Sequence, residues 1–147
     1  MCKRVAVWVV FFLVLGVGSA RAFTMVSINA DNVNMRSGPG DKYAVLWELG
    51  TGYPLKVLEH QGSWFKVEDF EGDEGWIYKT LVAREPHLIV KKRRVNMRSG
   101  PGDNYRVVGK ANYGVVFKTL EVKNGWARVK HENGMIGWIS RSLLWGW

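Results

Sequence analysis

Histidine and cysteine are the residues of this sequence best suited to acid–base or nucleophilic catalysis. The three histidines, His60, His87 and His131, stand in no recognisable motif with a serine or cysteine, so we interpret them as exposed or locally hydrogen-bonded groups. Cys2 is the single thiol, which rules out an internal disulfide, and no cysteine–histidine spacing matches a zinc site. The sequence therefore predicts a protein that is not an enzyme, with no catalytic residue, metal or cofactor.

A cluster of carboxylates between positions 68 and 74 is the one segment that suggests a cation site. Its members are Glu68, Asp69, Glu71, Asp73 and Glu74. Calcium loops require oxygen ligands at fixed spacings, and Phe70 and Gly72 interrupt this run, so it does not match such a loop. We predict a solvated hairpin tip here.

Arginine and aromatic residues that could bind a ligand occur in pairs 62 positions apart. The candidate ligand-binding residues are Arg36, Tyr43, Trp76, Arg98, Tyr105 and Trp138. Each arginine could bind an anion, but the alternative of hydrogen bonds to loop carbonyls or to the nearby Asp41 or Asp103 is favoured, because arginine and aspartate recur together. A tryptophan could line a groove, yet a unit of about 60 residues buries so little surface that we expect at least one tryptophan per unit in the core.

Two copies of one unit must position these residues. The segment 33–41 recurs letter for letter at 95–103, and 22 of the 50 positions from 33 to 82 carry the same residue 62 positions later. The linker 83–87 is short and contains Pro86, so we expect the two units to be held close together.

The pattern within each unit is that of β-strands. Polar and apolar residues alternate in 64–68 and 126–130, Asn124-Gly125 is a strong hairpin signal, and no helical period persists over three turns. Gly-Pro-Gly at 38–40 suits a tight irregular loop rather than a phosphate cradle, which needs a following helix. Five or six short strands in about 60 residues predict an all-β protein with two tandem small β-barrels.

The first 22 residues have the pattern of an export signal. Lys3 and Arg4 precede an apolar run from Val5 to Val17, and the segment 20–22 has the small residues of a cleavage site. We predict cleavage after Ala22, with an uncleaved anchor as the alternative. The expected organisation is a signal peptide at 1–22, a first domain at 23–83 and a second domain at 84–147. The expected location is the periplasm, or otherwise the cell surface or the medium.

Charge divides the two predicted domains. The full chain has 21 basic and 13 acidic residues, but residues 23–85 have a balance of −4 and residues 86–147 a balance of +9. The basic patch Lys91, Lys92, Arg93 and Arg94 replaces 29–32 of the first copy. It could bind an anionic envelope polymer or lipid surface, help the units to dock, or serve as a solvated edge strand that resists aggregation, the last being favoured. The aromatic tail 143–147 is predicted to pack on the barrel rather than to serve as a partner hook.

The repeated residues resemble the bacterial SH3 domain (SH3b). The resemblance rests on Val-Asn-Met-Arg-Ser-Gly-Pro-Gly, a glycine-rich turn, Trp-x-x-Val and a terminal Gly-Trp-Ile…Leu, which occur in this order twice between about Val26 and Leu144. It implies two tandem small SH3-like β-barrels with a non-enzymatic role. Members of this family accompany cell-wall hydrolases and help them to recognise peptidoglycan or its peptide cross-bridges, and others contact proteins. The family has no universal ligand-contact motif, so it assigns no binding residue here.

These observations predict an exported, non-catalytic module that binds peptidoglycan or its peptide stems. The alternative is a periplasmic protein–protein adaptor that uses the acidic first domain and the basic second domain. The expected partner is a cell-wall peptide, peptidoglycan or another envelope protein, with a peripheral contact to an anionic envelope surface as a further option. Export argues against nucleic acid as the partner.

Overall fold

The computed structural model of the protein describes residues 23–147, so the predicted signal at 1–22 lies outside the described residues. Each repeat forms one seven-stranded antiparallel sheet, and two single-turn 3₁₀ helices are the only helical elements in this part of the chain. The prediction of an all-β protein with two tandem small β-barrels is confirmed. None of the helices between residues 23 and 147 has the length and apolar character needed to cross a bilayer.

The strands of the two sheets follow the same order. The first sheet contains β1 (Thr24–Ile28), β2 (Val33–Arg36), β3 (Val45–Leu49), β4 (Pro54–Gln61), β5 (Trp64–Glu68), β6 (Glu74–Tyr78) and β7 (Val82–Ala83). The second contains β8 (His87–Val90), β9 (Arg94–Arg98), β10 (Val107–Asn112), β11 (Val116–Lys123), β12 (Trp126–Lys130), β13 (Ile136–Ser140) and β14 (Leu144–Gly146). The spatial orders are β3-β2-β6-β5-β4-β1-β7 and β10-β9-β13-β12-β11-β8-β14. The 3₁₀ helices are Lys79–Leu81 and Arg141–Leu143.

Positive backbone φ angles occur at the predicted hairpin turns. Asn124 and Gly125, which join β11 to β12, have φ values of 49° and 79°, as the Asn-Gly signal predicts. In the first unit, Gly62 has a φ of 58° in the turn between β4 and β5. These tight turns hold neighbouring strands in register, so cross-strand side chains meet at fixed positions.

The cores of both units consist mainly of aliphatic side chains. Met35, Leu55 and Ile77 are fully buried in the first unit, as are Met97 and Ile139 in the second. The expectation of a tryptophan in each core is wrong, because all four repeated tryptophans are only half-buried. Their positions on the strands place them on the outer face, while the alternate residues fill the interior.

The C-terminal segment packs on the barrel as predicted. Strand β14 pairs with β8, in the way that the shorter β7 pairs with β1. Thr119 Oγ1 donates a hydrogen bond of 2.7 Å to the carbonyl of Trp147, and Arg141 donates to the carbonyls of Leu144 and Gly146. The first residues of the tail therefore have a structural counterpart in β7 of the first unit.

The two units contact each other through the tip of the β5–β6 hairpin. Tyr113 donates a hydrogen bond of 2.5 Å from its hydroxyl to Glu71 Oε1, and its ring centroid lies 5.2 Å from that of Phe70. Phe70 also meets Tyr53 of its own unit edge-on at 6.1 Å. One aromatic residue thus lies between rings of both units, and the expectation that the units are held close agrees with this contact.

Candidate ligand-binding grooves

The floor of the candidate site in the first unit is an aromatic pair on the outer face of the β5–β6 hairpin. Trp64 and Tyr78 are direct cross-strand partners, with ring centroids 5.4 Å apart in a T-shaped arrangement. Val67 on β5 and Ile77 on β6 point the other way into the core. The same alternation that fills the core therefore exposes two rings side by side, which suits stacking on a sugar or a peptide plane.

Arg36 closes one end of this floor and is held by the loop that follows β2. Its Nη1 donates hydrogen bonds of 3.0 Å to the carbonyls of Asp41 and Tyr43, and its Nε lies 4.0 Å from the Asp41 carboxylate. Gly38 is required in this loop because a Cβ there would overlap the Tyr43 ring. The guanidinium thus orders the loop, in agreement with the favoured interpretation of the sequence, and still lines the groove.

A groove of about 200 Å³ runs along these residues. Asp31, at one rim, accepts a hydrogen bond of 2.5 Å from Thr51, and Asn34 and Leu81 extend the lining. The lining residues have one net negative charge, because they include two carboxylates, Asp31 and Asp41, and one guanidinium, Arg36. The groove combines an apolar floor with a few polar groups, which is the usual make-up of a small-ligand site.

The second unit repeats the framework of this groove. Trp126 faces Ser140 across β12 and β13, where the first unit has tryptophan and tyrosine. Arg98 pairs with Trp138, donates 3.0 Å to the Tyr105 carbonyl and lies 4.0 Å from the Asp103 carboxylate. The strand register and the arginine contacts with the loop tyrosine carbonyl and the aspartate carboxylate are therefore the same in both units. Of these two arginines, only Arg36 makes a second hydrogen bond within the described residues, to the carbonyl of Asp41.

The second unit differs from the first at the rim, which is formed by residues 30–32 in the first unit and 92–94 in the second. Lys92, Arg93 and Arg94 occupy the positions of Ala30, Asp31 and Asn32, and the basic patch that begins with Lys91 is exposed throughout. Within residues 23–147, none of these four cations forms an ion pair. Residues 91–93 lie in the turn between β8 and β9, and Arg94 begins β9, which lies between β10 and β13. The patch is therefore not on an edge strand, and the favoured interpretation of the sequence on that point is wrong.

The predicted ligand-binding residues lie beside the groove more than within it. Arg36 lines it, whereas Tyr43 packs on the Gly-Pro-Gly loop and Trp76 pairs across β2 and β5 with Arg36 and Lys66. Tyr105, Trp138 and Arg98 take the equivalent places in the second unit. Sequence reasoning missed the floor residues Trp64 and Tyr78, which their opposed positions in the hairpin could have indicated.

The acidic hairpin tip is held in shape by one of its own carboxylates. Asp69 is buried and accepts hydrogen bonds of 2.9 Å from the backbone N–H groups of Glu71 and Asp73. Burial raises the pKa of Asp69, although these two hydrogen bonds oppose the rise. The prediction of a fully solvated tip is therefore wrong at Asp69 and at Phe70. Across residues 23–147, no three carboxylate, histidine or cysteine groups are placed to hold a metal ion.

A larger cleft of about 460 Å³ lies where the two units meet. Thr51 contributes from the first unit, and His87, Lys118 and His131 contribute from the second. His87 Nδ1 lies 3.0 Å from the Glu85 carbonyl, and His131 Nδ1 accepts from the N–H of Asn133 at 3.2 Å. Both imidazoles are thus engaged with nearby backbone, in line with the local role expected for them.

Comparison with protein families gives a match to each repeat. A family model described as the bacterial SH3 domain matches residues 29–83 and 91–146. These two segments contain the groove of the first unit and the equivalent surface of the second, and they exclude the predicted signal. The boundary between them falls within the linker region that the repeat indicates.

Curated relatives match all or part of the repeated region within longer chains. The chain is 28% identical over 128 residues to "Putative N-acetylmuramoyl-L-alanine amidase YrvJ" of Bacillus subtilis, a match that covers 80% of this chain and 24% of the relative. It is 34% identical over 64 residues to "Uncharacterized protein YgiM" of Escherichia coli, covering 42% and 31%. It is 31% identical over 48 residues to "Probable cell wall amidase LytH" of Staphylococcus epidermidis, covering 32% and 16%. The chain thus spans less than a third of the length of each relative.

Proposed function

This chain belongs to the bacterial SH3 domain family, and we propose that it is an exported, non-catalytic module that binds peptidoglycan or its peptide stems. The observation that carries the proposal is the groove on the first unit, with its Trp64–Tyr78 floor and its loop-held Arg36. Stacking rings provide area for a sugar or peptide plane, and a fixed guanidinium provides directional hydrogen bonds.

Two further facts support this proposal. One relative is named as a putative N-acetylmuramoyl-L-alanine amidase and another as a probable cell wall amidase, and the matched segment is a minor part of each, as expected of a targeting region beside a catalytic one. His87 and His131 engage local backbone, and none of the three histidines stands in a recognisable nucleophile motif. A binding role without catalysis accounts for both facts.

Co-sedimentation with purified sacculi tests this function. We expect the purified chain to pellet with sacculi at low and physiological salt, and the double variant Trp64→Ala/Trp126→Ala to lose most of this binding because each groove loses its main ring. Trp47→Ala is the matched control, since that tryptophan is exposed on β3 and lies outside the groove. Absence of wild-type binding at both salt concentrations, or hydrolysis of the wall by the purified chain, contradicts the proposal.

A protein–protein adaptor is the second candidate, and one surface favours it. Strand β3 is the edge of the first sheet, and its residues Val45, Leu46 and Trp47 are 49%, 44% and 53% exposed. An exposed apolar edge strand offers unpaired backbone groups and apolar area to another chain. The equivalent edge of the second unit has Gly109 and Lys110 in place of Trp47 and Glu48, which makes it a poorer surface of this kind.

Cross-linking in the envelope distinguishes the adaptor from the wall-binding module. The adaptor predicts one specific protein partner, captured by the wild type and lost in Trp47→Lys, while Lys110→Glu on the other edge retains it. Sacculus binding is expected to be the same in all three proteins. Recovery of no partner, or the same partner from both variants, counts against the adaptor.

A further inference from the structure

We propose that the surface of the second unit that is equivalent to this groove is an oxyanion site, which binds carboxylate or phosphate groups of the wall polymer, and that the groove of the first unit is not. This inference rests on the proposed function, since the wall supplies the ligand. The two units would then bind ligands of different charge at equivalent surfaces with one framework.

Both units have the same framework of arginine, loop and tryptophan. Both arginines pair with a tryptophan of the sheet, donate 3.0 Å to the carbonyl of the loop tyrosine and lie 4.0 Å from an aspartate. Trp64 and Trp126 occupy the same register position at the start of β5 and β12. The two surfaces therefore differ at the rim and at one floor position, where Ser140 stands in place of Tyr78, and only the difference at the rim changes the charge.

The rim residues of the two units have opposite net charge. The first groove has one net negative charge, from Asp31 and Asp41 against Arg36. The equivalent positions of the second unit have three net positive charges. They contain four cations, Lys92, Arg93, Arg94 and Arg98, and one carboxylate, Asp103. A cationic rim over an apolar floor concentrates anions at the groove.

The cations of the patch 91–94 have no ion-pair partner within residues 23–147. Asp31 of the first rim is engaged by Thr51, whereas the patch 91–94 is exposed and forms no ion pair within residues 23–147. Three of the four cations lie in the turn before β9, and Arg94 begins β9, which is an interior strand, so these charges are not needed to prevent edge-to-edge pairing. Guanidinium and ammonium groups that stabilise nothing inside the protein remain available to an external oxyanion, which arginine binds with two parallel hydrogen bonds.

The test exchanges the rims in the full chain. Lys92→Ala/Arg93→Asp/Arg94→Asn gives the second unit the rim residues of the first. The matched control, Arg106→Asp/Lys118→Ala/Lys130→Ala, removes the same charge from exposed positions of the second unit outside the proposed site, two of which line the cleft between the units. Ala30→Lys/Asp31→Arg makes the reciprocal change in the first unit. All substituted residues of the second unit are exposed, so thermal melting is expected to confirm that both of its variants are folded.

The probes are sacculi in three forms: intact, with carboxylates converted to amides, and with phosphate polymers removed by acid. We expect the rim variant to bind intact sacculi at least about tenfold more weakly than wild type, a loss equivalent to about 1.4 kcal/mol, and the control to stay within about twofold. Loss of wild-type binding on amidation identifies carboxylates as the ligand, and loss on acid treatment identifies phosphates. Equal binding by rim variant and control, or binding to anionic lipid vesicles but to none of the sacculi, overturns the inference.

Soluble polymers separate this inference from the proposed function. Wild type is titrated with poly-L-glutamate and with polyphosphate, and the rim variant is expected to bind at least one of them about tenfold more weakly, whereas Ala30→Lys/Asp31→Arg binds it more tightly than wild type does. If wild type fails on every form of sacculus yet shows this pattern, the wall-binding function fails and the oxyanion site stands. If wild type and rim variant titrate alike, the oxyanion site fails whatever the sacculi show.

Discussion

The first and second units have the same strands in the same order, yet their outer faces are built from different charges. In the first unit Lys56 faces Glu68 across β4 and β5 with 3.6 Å between the charged atoms, and Lys66 lies 3.2 Å from Glu74. In the second unit the equivalent cross-strand partners are two cations, Lys118 and Lys130. Duplicated barrels therefore retain the core and the loop framework, while surface positions are free to diverge in charge.

The largest expected effect tests whether the two cores are equivalent. Ile77→Ala and Ile139→Ala each remove a fully buried side chain from the same position of β6 and β13. Each is expected to lower the free energy of unfolding of its unit by about 2–5 kcal/mol, the usual cost of such a truncation. Denaturant titration followed by NMR signals of each unit measures both. If either substitution destabilises both units equally, the interface couples them into one folding unit.

The next effect concerns a glycine that the two units pack differently. A Cβ at Gly75 would lie 2.5 Å from Met35 Cγ and 3.1 Å from the Arg36 carbonyl oxygen, whereas one at Gly137 has its nearest neighbours at 3.3 Å. Gly75→Ala is therefore expected to cost about 1–3 kcal/mol, as overpacking usually does, and Gly137→Ala less. Equal shifts in melting temperature for the two variants would contradict this difference in packing.

A smaller effect is expected when the charges that face each other across β4 and β5, or across β11 and β12, are exchanged. Lys130→Glu places a carboxylate opposite Lys118, as Glu68 is placed opposite Lys56, and Glu68→Lys creates the like-charge pair of the second unit. Cross-strand charge pairs contribute roughly 0.2–1 kcal/mol, so the first substitution is expected to stabilise its unit and the second to destabilise its own. Thermal melting at low and high salt measures both shifts, which should shrink as salt screens the charges. Shifts of the same sign in both variants would show that neighbouring groups dominate.

The smallest effect is the pH dependence of the contact between the units. The hydrogen bond to Glu71 raises the pKa of Tyr113 to about 12, and burial raises the pKa of the neighbouring Tyr53 as well. Because the folded pKa of Tyr113 is higher than its ordinary value, the stability from this contact is complete below about pH 10 and is lost as pH rises through 12. The difference in melting temperature between wild type and Tyr113→Phe should vanish over that window. A difference that stays constant would show that the hydroxyl contributes nothing to stability.

The sequence predicted most of the fold because repeat, alternation and turn signals agree in both copies. Asn124-Gly125 forms the predicted turn, and the two sheets follow the repeat boundary. The expectation of buried tryptophans failed because it considered size alone. Trp64, Lys66 and Glu68 share one face of β5, so the alternation that predicts the strand also places the tryptophan with the charged residues outside.

The groove was harder to predict because its residues come from distant parts of the chain. Asp31, Arg36, Trp64 and Tyr78 converge only when β2, β5 and β6 pair, and nothing in their local sequence marks them as neighbours. The hairpin tip was misread for a related reason. Its five carboxylates suggest solvation, but a buried Asp69 and a single Phe70 decide its role through a contact with the other unit.

The contact of Phe70 and Glu71 with Tyr113 also limits the distance between the two proposed binding surfaces. A polymer strand that reaches both surfaces would bind the second one at a high effective concentration, since the first has already brought it near. The gain in avidity then depends on whether the repeat length of the polymer matches that distance. Two weak sites on a docked pair would thereby favour an ordered, extended polymer over its soluble fragments.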